Sequence, residues 1–353
     1  MKKWLKVALC ILLAVVLLVG GYVAYVFIDY HRLGDMTLTP THNAGAAESG
    51  TVYTMISYNI GFGAYESDYG FFMDGGTESR AWSKERLTKN LTAISTFLQE
   101  QDADFYLLQE VDTNATRTYQ VDERAYFTEA LSGMSWVYCQ NYDSPYLMYP
   151  LLKPHGASQA GLMTFSTADI AAASRVELPI EGGFMKLLDL DRCYSVSRIP
   201  VSGGKELVLY NLHLSAYTSD GTIATEQLKL LLADMQAEYE SGNWCVAGGD
   251  FNKDLLGDSA AWFGEADQSY SWAQPIPAET FAGMDVSLAA PLDENDPVPS
   301  CRNADGPYHE GQYVLTVDGF LTTPNVTVSQ ATVLDTGFAW SDHNPVKMTF
   351  TLS

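Results

Sequence analysis

The stretch Trp244-Cys245-Val246-Ala247-Gly248-Gly249-Asp250-Phe251-Asn252 is a short apolar strand that runs through two glycines into polar residues. An apolar strand of this length packs inside a domain, so the side chains at its end lie at the rim of a sheet. Asp250 and Asn252 are then either the ends of an Asx-type turn or groups that face a site. The choice depends on whether other strands end in the same way.

Five further apolar segments do carry polar residues at an end or on one face. Each alone has an ordinary explanation, such as a turn residue, a solvated strand end or a hydrogen-bonded core histidine. Together, on one rim, they assemble carboxylates, amides and imidazoles. The residues are Asn59, the Gln109-Glu110 pair, Asn211 with His213, Asp318, and the Asp342-His343 pair.

This inventory suits a hard divalent ion held by oxygen ligands, with imidazole and amide donors directed at a phosphate. It does not suit zinc, because the five cysteines are widely separated and no His-x-x-x-His spacing occurs. Single buried cysteines are the expectation for the four that lie beyond residue 32.

Strand-like and helical segments alternate along the chain and predict a layered α/β domain around stacked sheets. Helices are predicted over 83–99 and 222–239. The predicted strands are 51–60, 104–111, 206–214, 244–249, 313–321 and 345–352.

The amino terminus differs from the rest in charge. Residues 7–28 hold no charged side chain, and 22 residues at helical rise span about 33 Å, enough to cross a hydrocarbon core. Lys2, Lys3 and Lys6 precede this run, which predicts a single-pass anchor with residues 1–6 in the cytoplasm and the domain outside the cell. A cleaved signal sequence and a secreted domain are the alternative. Residues 29–50 are predicted to be a linker, and 51–353 to be one domain.

The whole chain has a formal net charge of −23, and the residues beyond the anchor are more acidic still. Such a surface repels a polyphosphate backbone, which disfavours a nucleic-acid binder without sequence preference. A small or lipid-linked phosphoester is therefore preferred as the ligand, and the sequence gives no sign of a protein partner.

The order of the motifs resembles the endonuclease/exonuclease/phosphatase superfamily, the DNase I-like group that includes nucleases, inositol polyphosphate phosphatases and neutral sphingomyelinases. The resemblance extends over residues 51–353, and its most specific elements are Gly249-Asp250-Phe251-Asn252 and Ser341-Asp342-His343. It implies a four-layer α/β/β/α sandwich, here preceded by one transmembrane helix. It also implies hydrolysis of a phosphate ester with Mg²⁺, or Mn²⁺ in its place.

The resemblance further implies roles for individual residues. Asn59 and Glu110 would hold the metal, with Asp342 nearby as a further ligand. Asp250 would orient and deprotonate the attacking water, while Asn252 and His213 would bind phosphate oxygens. His343, oriented by Asp318, would stabilise charge in the transition state. Candidate substrate contacts are Arg80, Arg117 and Asn211.

The sequence departs from the nuclease branches of this superfamily. Residues 159–165 contain no acidic residue to pair with the first histidine, and the tyrosine motif of the abasic-site enzymes is not recognisable. The basic motifs of inositol polyphosphate phosphatases are also missing. A phosphodiesterase or phosphatase outside the membrane is thus the leading prediction; the alternatives are an extracellular nuclease and a non-catalytic binding module.

Overall fold

The computed structural model describes residues 2–43, 45–182, 190–216, 222–264 and 272–353. Its α-helices are α1 (Lys2–Asp29), α2 (Lys84–Gln101), α3 (Arg124–Ala130), α4 (Thr222–Glu240) and α5 (Ser259–Phe263). Its strands are β1 (Met36–Leu38), β2 (Val52–Asn59), β3 (Phe105–Asp112), β4 (Ser135–Asp143), β5 (Gln159–Ser166), β6 (Ala172–Glu177), β7 (Cys193–Val201), β8 (Lys205–His213), β9 (Trp244–Asp250), β10 (Ser287–Ala289), β11 (Cys301–Arg302), β12 (Val314–Leu315), β13 (Asp318–Thr322), β14 (Val326–Val333) and β15 (Val346–Leu352).

Two large sheets form the centre of the domain. One has seven strands in the order β1-β6-β7-β8-β9-β13-β10, and the other has six in the order β14-β15-β2-β3-β5-β4. Side chains from both sheets meet in one buried cluster, in which Met55 and Leu107 of the six-stranded sheet join Leu209 and Val246 of the seven-stranded sheet. The sheets therefore stack face to face.

A helix covers the outer face of each sheet. Because side chains alternate along a strand, Ile56 and Tyr58 leave the inter-sheet cluster and pack with Leu91 and Ile94 of α2. On the other side, Val208 and the leucines of α4 share a third cluster. The order helix, sheet, sheet, helix confirms the predicted four-layer α/β/β/α sandwich.

Two sequence-based expectations differ from the structure. The single strand predicted over 313–321 is divided between β12 and β13, which lie in different sheets. Within the predicted linker, Met36–Leu38 pairs with β6 and adds an edge strand to the seven-stranded sheet. Three residues carry no readable periodicity, so pairing with an existing edge, rather than local pattern, creates this strand.

Helix α1 is apolar enough to cross a membrane, by length and composition. Val26 is its one buried residue, so the helix is not a core element of the domain. The same properties belong to a signal sequence.

Candidate active site

The predicted rim exists, and the register of the two sheets explains it. β2 and β3 are parallel, with Asn59 opposite Gln109 at their ends, and β8 and β9 are parallel, with His213 opposite Asp250. Strand β13 runs antiparallel to β9 and begins at Asp318, directly opposite Asp250. Strand ends that are distant in sequence therefore meet at one place.

The backbone at this rim adopts conformations that most residues avoid. Glu110, in a bulge of β3, has φ +57°, and Asn252 has φ +48°. A Cβ at Gly249 would lie 2.0 Å from the carbonyl oxygen of Leu212, so only glycine fits between β8 and β9 here. Strained non-glycine residues of this kind are concentrated at functional sites.

Asn59 lies at the centre of the site. Its Nδ2 lies 3.2 Å from Glu110 Oε1, 3.1 Å from Asp250 Oδ2 and 3.4 Å from His343 Nε2. Its Oδ1 accepts a hydrogen bond from the backbone N–H of Gly61, which fixes the amide orientation. One amide group thus bonds to the carboxylates of β3 and β9 and lies beside the imidazole that precedes β15.

His343 and Asp318 form a buried ion pair. Nδ1 of His343 lies 2.7 Å from Asp318 Oδ2, and the same oxygen accepts a 2.7 Å hydrogen bond from Ser300 Oγ. Burial by itself lowers the pKa of His343, but Asp318, Cys301 and Asp250 more than compensate and raise it well above its usual value. The charged imidazolium therefore presents Nε2 toward Asp250, 3.7 Å away.

His213 is the opposite case. Its Nε2 lies 3.5 Å from Asp250 Oδ2, yet burial, together with the positive charges of Arg192 and His343, lowers its pKa well below the usual value. His213 is therefore neutral and His343 is charged, although both contact the same carboxylate. Burial raises the pKa of Asp250 to about 7, with His343 opposing this rise and Asp318 adding to it.

Asn252 is held beside this carboxylate by its own backbone. Its N–H donates to Asp250 Oδ1 at 2.8 Å, and its side-chain Nδ2 donates to the carbonyl oxygen of Leu214, also at 2.8 Å. Asp250 and Asn252 do form an Asx-type turn, and that turn lies inside the site. The two alternatives that the sequence left open are therefore both true.

A cavity of about 170 Å³ opens at the rim. We call the carboxylate, amide and imidazole side chains of its lining the polar wall, which consists of Glu110, His213, Asp250, Asn252, Asp342 and His343. Its aromatic lining, which we call the aromatic wall, consists of Phe62, Tyr65, Phe71, Tyr142 and Trp272. The aromatic segment over 65–80 follows Asn59 closely in the sequence, and this position predicts that it flanks the site. Tyr142 and Trp272 carry no sequence signal that connects them to the site.

The polar wall has the donor set of a divalent-cation site. Burial raises the pKa of both Glu110 and Asp342, and the negative charge of Asp342 raises that of Glu110 further, although Arg117 opposes this. Carboxylates that line one cavity and repel one another are stabilised by a hard cation. Asp250, Asp318 and His343 also bring ligand atoms within 4.8 Å of one another. In this group Nδ1 of His343 and Oδ2 of Asp318 are hydrogen-bonded to each other.

The three candidate substrate contacts have different positions. The Arg117 guanidinium lines the cavity, pairs with both oxygens of Asp112 and lies 3.8 Å above the ring of Phe62. Arg80 is not among the described residues that line the cavity; its Nε donates to the carbonyl oxygen of Pro154 at 2.6 Å.

Asn211 lies between the sheets and its amide is fully used there. Oδ1 accepts from Gln109 Nε2 at 2.7 Å, and Nδ2 donates to the carbonyl oxygens of Leu108 and Met163. These bonds tie β8 to β3 and β5, which is a structural role. Gln109 has the same role, since its Nε2 also reaches Ser57.

Two cationic residues of the cavity are absent from the sequence motifs. Arg302 is buried and donates to the carbonyl oxygens of Glu66 and Tyr69, which fixes the loop that carries Tyr65. Arg192 lines the cavity beside His213 and donates to its carbonyl oxygen at 3.4 Å. Their positions depend on tertiary packing, which no local pattern encodes.

Comparison with known proteins agrees with this architecture. A model described as the Endonuclease/Exonuclease/phosphatase family matches residues 56–343. No curated protein matches the chain in sequence.

Solved structures share the fold at low sequence identity. An endonuclease/exonuclease/phosphatase from Beutenbergia cavernae superposes with a TM-score of 0.56 at 18% identity, over 86% of this chain and 72% of that one. The human Nocturnin catalytic domain with bound sulfate superposes with a TM-score of 0.55 at 15% identity, over 90% of this chain and 97% of that one. ANGEL2, a 2′,3′-cyclic phosphatase in complex with adenosine-2′,3′-vanadate, superposes with a TM-score of 0.54 at 16% identity, over 90% of this chain and 99% of that one.

Proposed function

This chain belongs to the endonuclease/exonuclease/phosphatase family, and from that premise we propose that it is a metal-dependent hydrolase of phosphate esters. The observation that carries the proposal is the pairing, in one cavity, of a buried imidazolium held by Asp318 with the carboxylates of Glu110 and Asp342. The first group neutralises growing negative charge, and the second is a cation site. A non-catalytic module would have no need of this buried charge.

We assign the roles as follows. Glu110 and Asp342 would hold Mg²⁺, which when bound supplies Lewis-acid stabilisation of the phosphoryl oxygens. Asn59, which the resemblance implied as a further ligand, turns its Nδ2 toward Glu110 and Asp250 and would orient these carboxylates instead of binding the ion. Asp250 accepts the proton of the attacking water and orients it. Charged His343 donates from Nε2 to an oxygen on which negative charge develops, and Asp318 fixes its orientation. His213 and Asn252 contact the remaining phosphate oxygens.

The aromatic wall supports an ester that carries an apolar or aromatic group rather than a bare phosphate. Arg117 and Arg302 brace this wall instead of projecting as free cations, so they do not form a basic track for a polyanion. The lack of a basic track and the chain's net charge of −23 both support a small or lipid-linked phosphoester, rather than extended nucleic acid, as the substrate. Lys2, Lys3 and Lys6 support a domain on the outer side of the membrane.

The test uses the full chain in detergent micelles, with Mg²⁺, Mn²⁺ or EDTA. Substrates are bis(4-nitrophenyl) phosphate, sphingomyelin, inositol phosphates, RNA and plasmid DNA, and Asp250→Asn is the matched control. We expect metal-dependent hydrolysis of the diester or the lipid, lost with EDTA and in the variant. Hydrolysis of none of these under any metal would contradict the proposal, and rapid plasmid degradation at physiological salt would establish the nuclease alternative.

A further inference from the structure

A loop between β4 and β5 exposes four large apolar side chains. Two backbone hydrogen bonds of 3.1 Å between Leu147 and Gly156 close its base. At its tip, Met148, Tyr149, Leu151 and Leu152 are 52%, 67%, 83% and 101% exposed. Apolar side chains grouped in this way on a soluble surface mark a contact with another apolar phase.

The exposure is built into the fold, because the other side of the loop is firmly held. Arg80 Nε donates to the carbonyl oxygen of Pro154 at 2.6 Å, and Ser79 Oγ donates to that of Lys153. His155 Nδ1 lies 2.9 Å from the carbonyl oxygen of Ser79. The loop is therefore fixed at its base, while the side chains of Met148, Leu151 and Leu152 stay exposed.

The same loop contacts the apolar helix α1. The Tyr22 hydroxyl donates to the carbonyl oxygen of Tyr146 and accepts from the N–H of Met148, both at 3.1 Å. The Tyr25 hydroxyl accepts from the N–H of Tyr146 at 3.0 Å. Loop and helix thus meet at the last two turns of the apolar run.

The position along α1 fixes the depth of the contact. Tyr22 precedes Ile28, the end of the uncharged run, by six residues, which is about 9 Å at helical rise. Segments that lie in a membrane interface are buried by about 5–10 Å, at the boundary of headgroups and acyl chains. If α1 spans a bilayer, the loop therefore lies at that boundary.

The loop's own sequence carries no negative charge, although Glu78 from outside the loop pairs with its Lys153. No Asp or Glu occurs from residue 144 to residue 168, although the chain contains 43 of them. Lys153 is the one lysine in this stretch. An anionic headgroup therefore meets no carboxylate of the loop itself.

We propose that residues 146–152 form a docking loop that inserts into the headgroup region of the bilayer that α1 spans. The loop adjoins the cavity, since Tyr149 packs on Phe72 with ring centroids 5.6 Å apart and His155 lines the cavity. Docking therefore holds the cavity next to the lipid surface. That the substrate is a phosphoester carried by a membrane lipid rests on the proposed function; the insertion itself does not.

Insertion is tested without any need for activity. In the full chain with Cys10→Ser, an environment-sensitive fluorophore is attached at Leu152→Cys or, as the matched control, at Leu230→Cys, an exposed leucine on α4 (48%). The proteins are reconstituted in phosphatidylcholine–phosphatidylglycerol vesicles. We expect blue-shifted emission and quenching by doxyl-labelled lipid at 152, and iodide quenching at 230. Iodide quenching at both positions, or emission at 152 that does not respond to doxyl lipid, would overturn the proposal.

A second measurement separates docking from catalysis. The double variant Leu151→Asp/Leu152→Asp is compared with Leu230→Asp on sphingomyelin in vesicles and on soluble bis(4-nitrophenyl) phosphate. Because two apolar side chains become charged at the interface, we expect the ratio of vesicle to soluble turnover to fall by about tenfold or more in the double variant. An unchanged ratio would contradict the proposal that the substrate is a membrane lipid. If the wild type turned over neither substrate, the proposed hydrolase function would be wrong, and the fluorescence experiment would still test insertion by itself.

Discussion

The polar wall and the aromatic wall face one cavity but are built in different ways. The polar wall consists mainly of strand ends, whose positions follow from the register of two stacked sheets. The aromatic wall comes largely from loops, and Arg302 and Arg117 brace it through backbone carbonyls and ring contacts. The difference indicates a division of work, in which rigid strand ends supply the chemistry and loops select the substrate.

The largest expected effect comes from removing a charge of the polar wall. Asp250→Asn and His343→Asn should each lower kcat for bis(4-nitrophenyl) phosphate by about 10³-fold or more, since each removes a group that acts on the reacting atoms. Circular dichroism should show an intact fold. Near-normal turnover in either variant would mean that the polar wall is not the catalytic side.

Asp318 acts through His343 and should have a smaller effect. Asp318→Asn should lower kcat by about 10²-fold or more, because the imidazole loses the partner that orients and charges it. KM should stay within about threefold of the wild-type value, because Asp318 does not line the cavity. A higher KM together with a lower melting temperature, with kcat retained, would identify a purely structural residue instead.

A variant of the aromatic wall should separate binding from chemistry. Trp272→Leu should raise KM by about tenfold for esters with an aromatic or acyl group and leave kcat unchanged, since it removes apolar contact made equally in ground and transition states. The matched measurement uses methyl phosphate esters, for which KM should not change. A fall in kcat with unchanged KM would contradict the proposed division of the cavity.

His155, where the docking loop meets the cavity, should affect stability rather than turnover. Burial, together with Arg117, lowers the pKa of His155 to about 3, whereas the unfolded chain binds this proton near pH 6.5. Above pH 6.5 the ionisation of His155 does not change the free energy of unfolding. As the pH falls from 6.5 to about 3, the unfolded state takes up this proton and the folded state does not, so the free energy of unfolding decreases.

His155→Gln removes that pH dependence. Between pH 7 and pH 5 the wild type should lose about 2 kcal/mol more free energy of unfolding than the variant. Urea unfolding in detergent, followed by tryptophan fluorescence, measures this. Parallel pH profiles for the two proteins would show that His155 is protonated in the folded state.

The same contrast explains what the sequence could predict. Asn59, Glu110 and Asp250 follow apolar strands, so their meeting at a rim follows from strand periodicity once the sheets stack. Arg80 and Asn211 also lie near strand ends or site loops. Arg80 nevertheless bonds to the carbonyl oxygen of Pro154, and Asn211 bonds to the backbone of β3 and β5. Sequence position does not reveal which hydrogen bonds a polar group has already made.

The aromatic wall could be predicted only in part. An aromatic loop after Asn59 indicates a flanking role, but Tyr142 and Trp272 reach the cavity through the folding of segments distant in sequence. The strand over 36–38 is similar, since it exists because β6 offers an unpaired edge. Local pattern identifies elements, whereas these features depend on which elements become neighbours.

The most direct test of the central claim is a Mg²⁺ titration of turnover in the full chain and in Glu110→Gln. Glu110 is a half-buried carboxylate that belongs to the polar wall and contacts Asn59, and it is not assigned to proton transfer. A Mg²⁺ site at Glu110 predicts that wild-type hydrolysis of bis(4-nitrophenyl) phosphate vanishes with EDTA and returns with Mg²⁺, and that the variant needs at least about tenfold more Mg²⁺ for half-maximal rate. Wild-type turnover that persists in EDTA, or identical Mg²⁺ dependence in the two proteins, would contradict it.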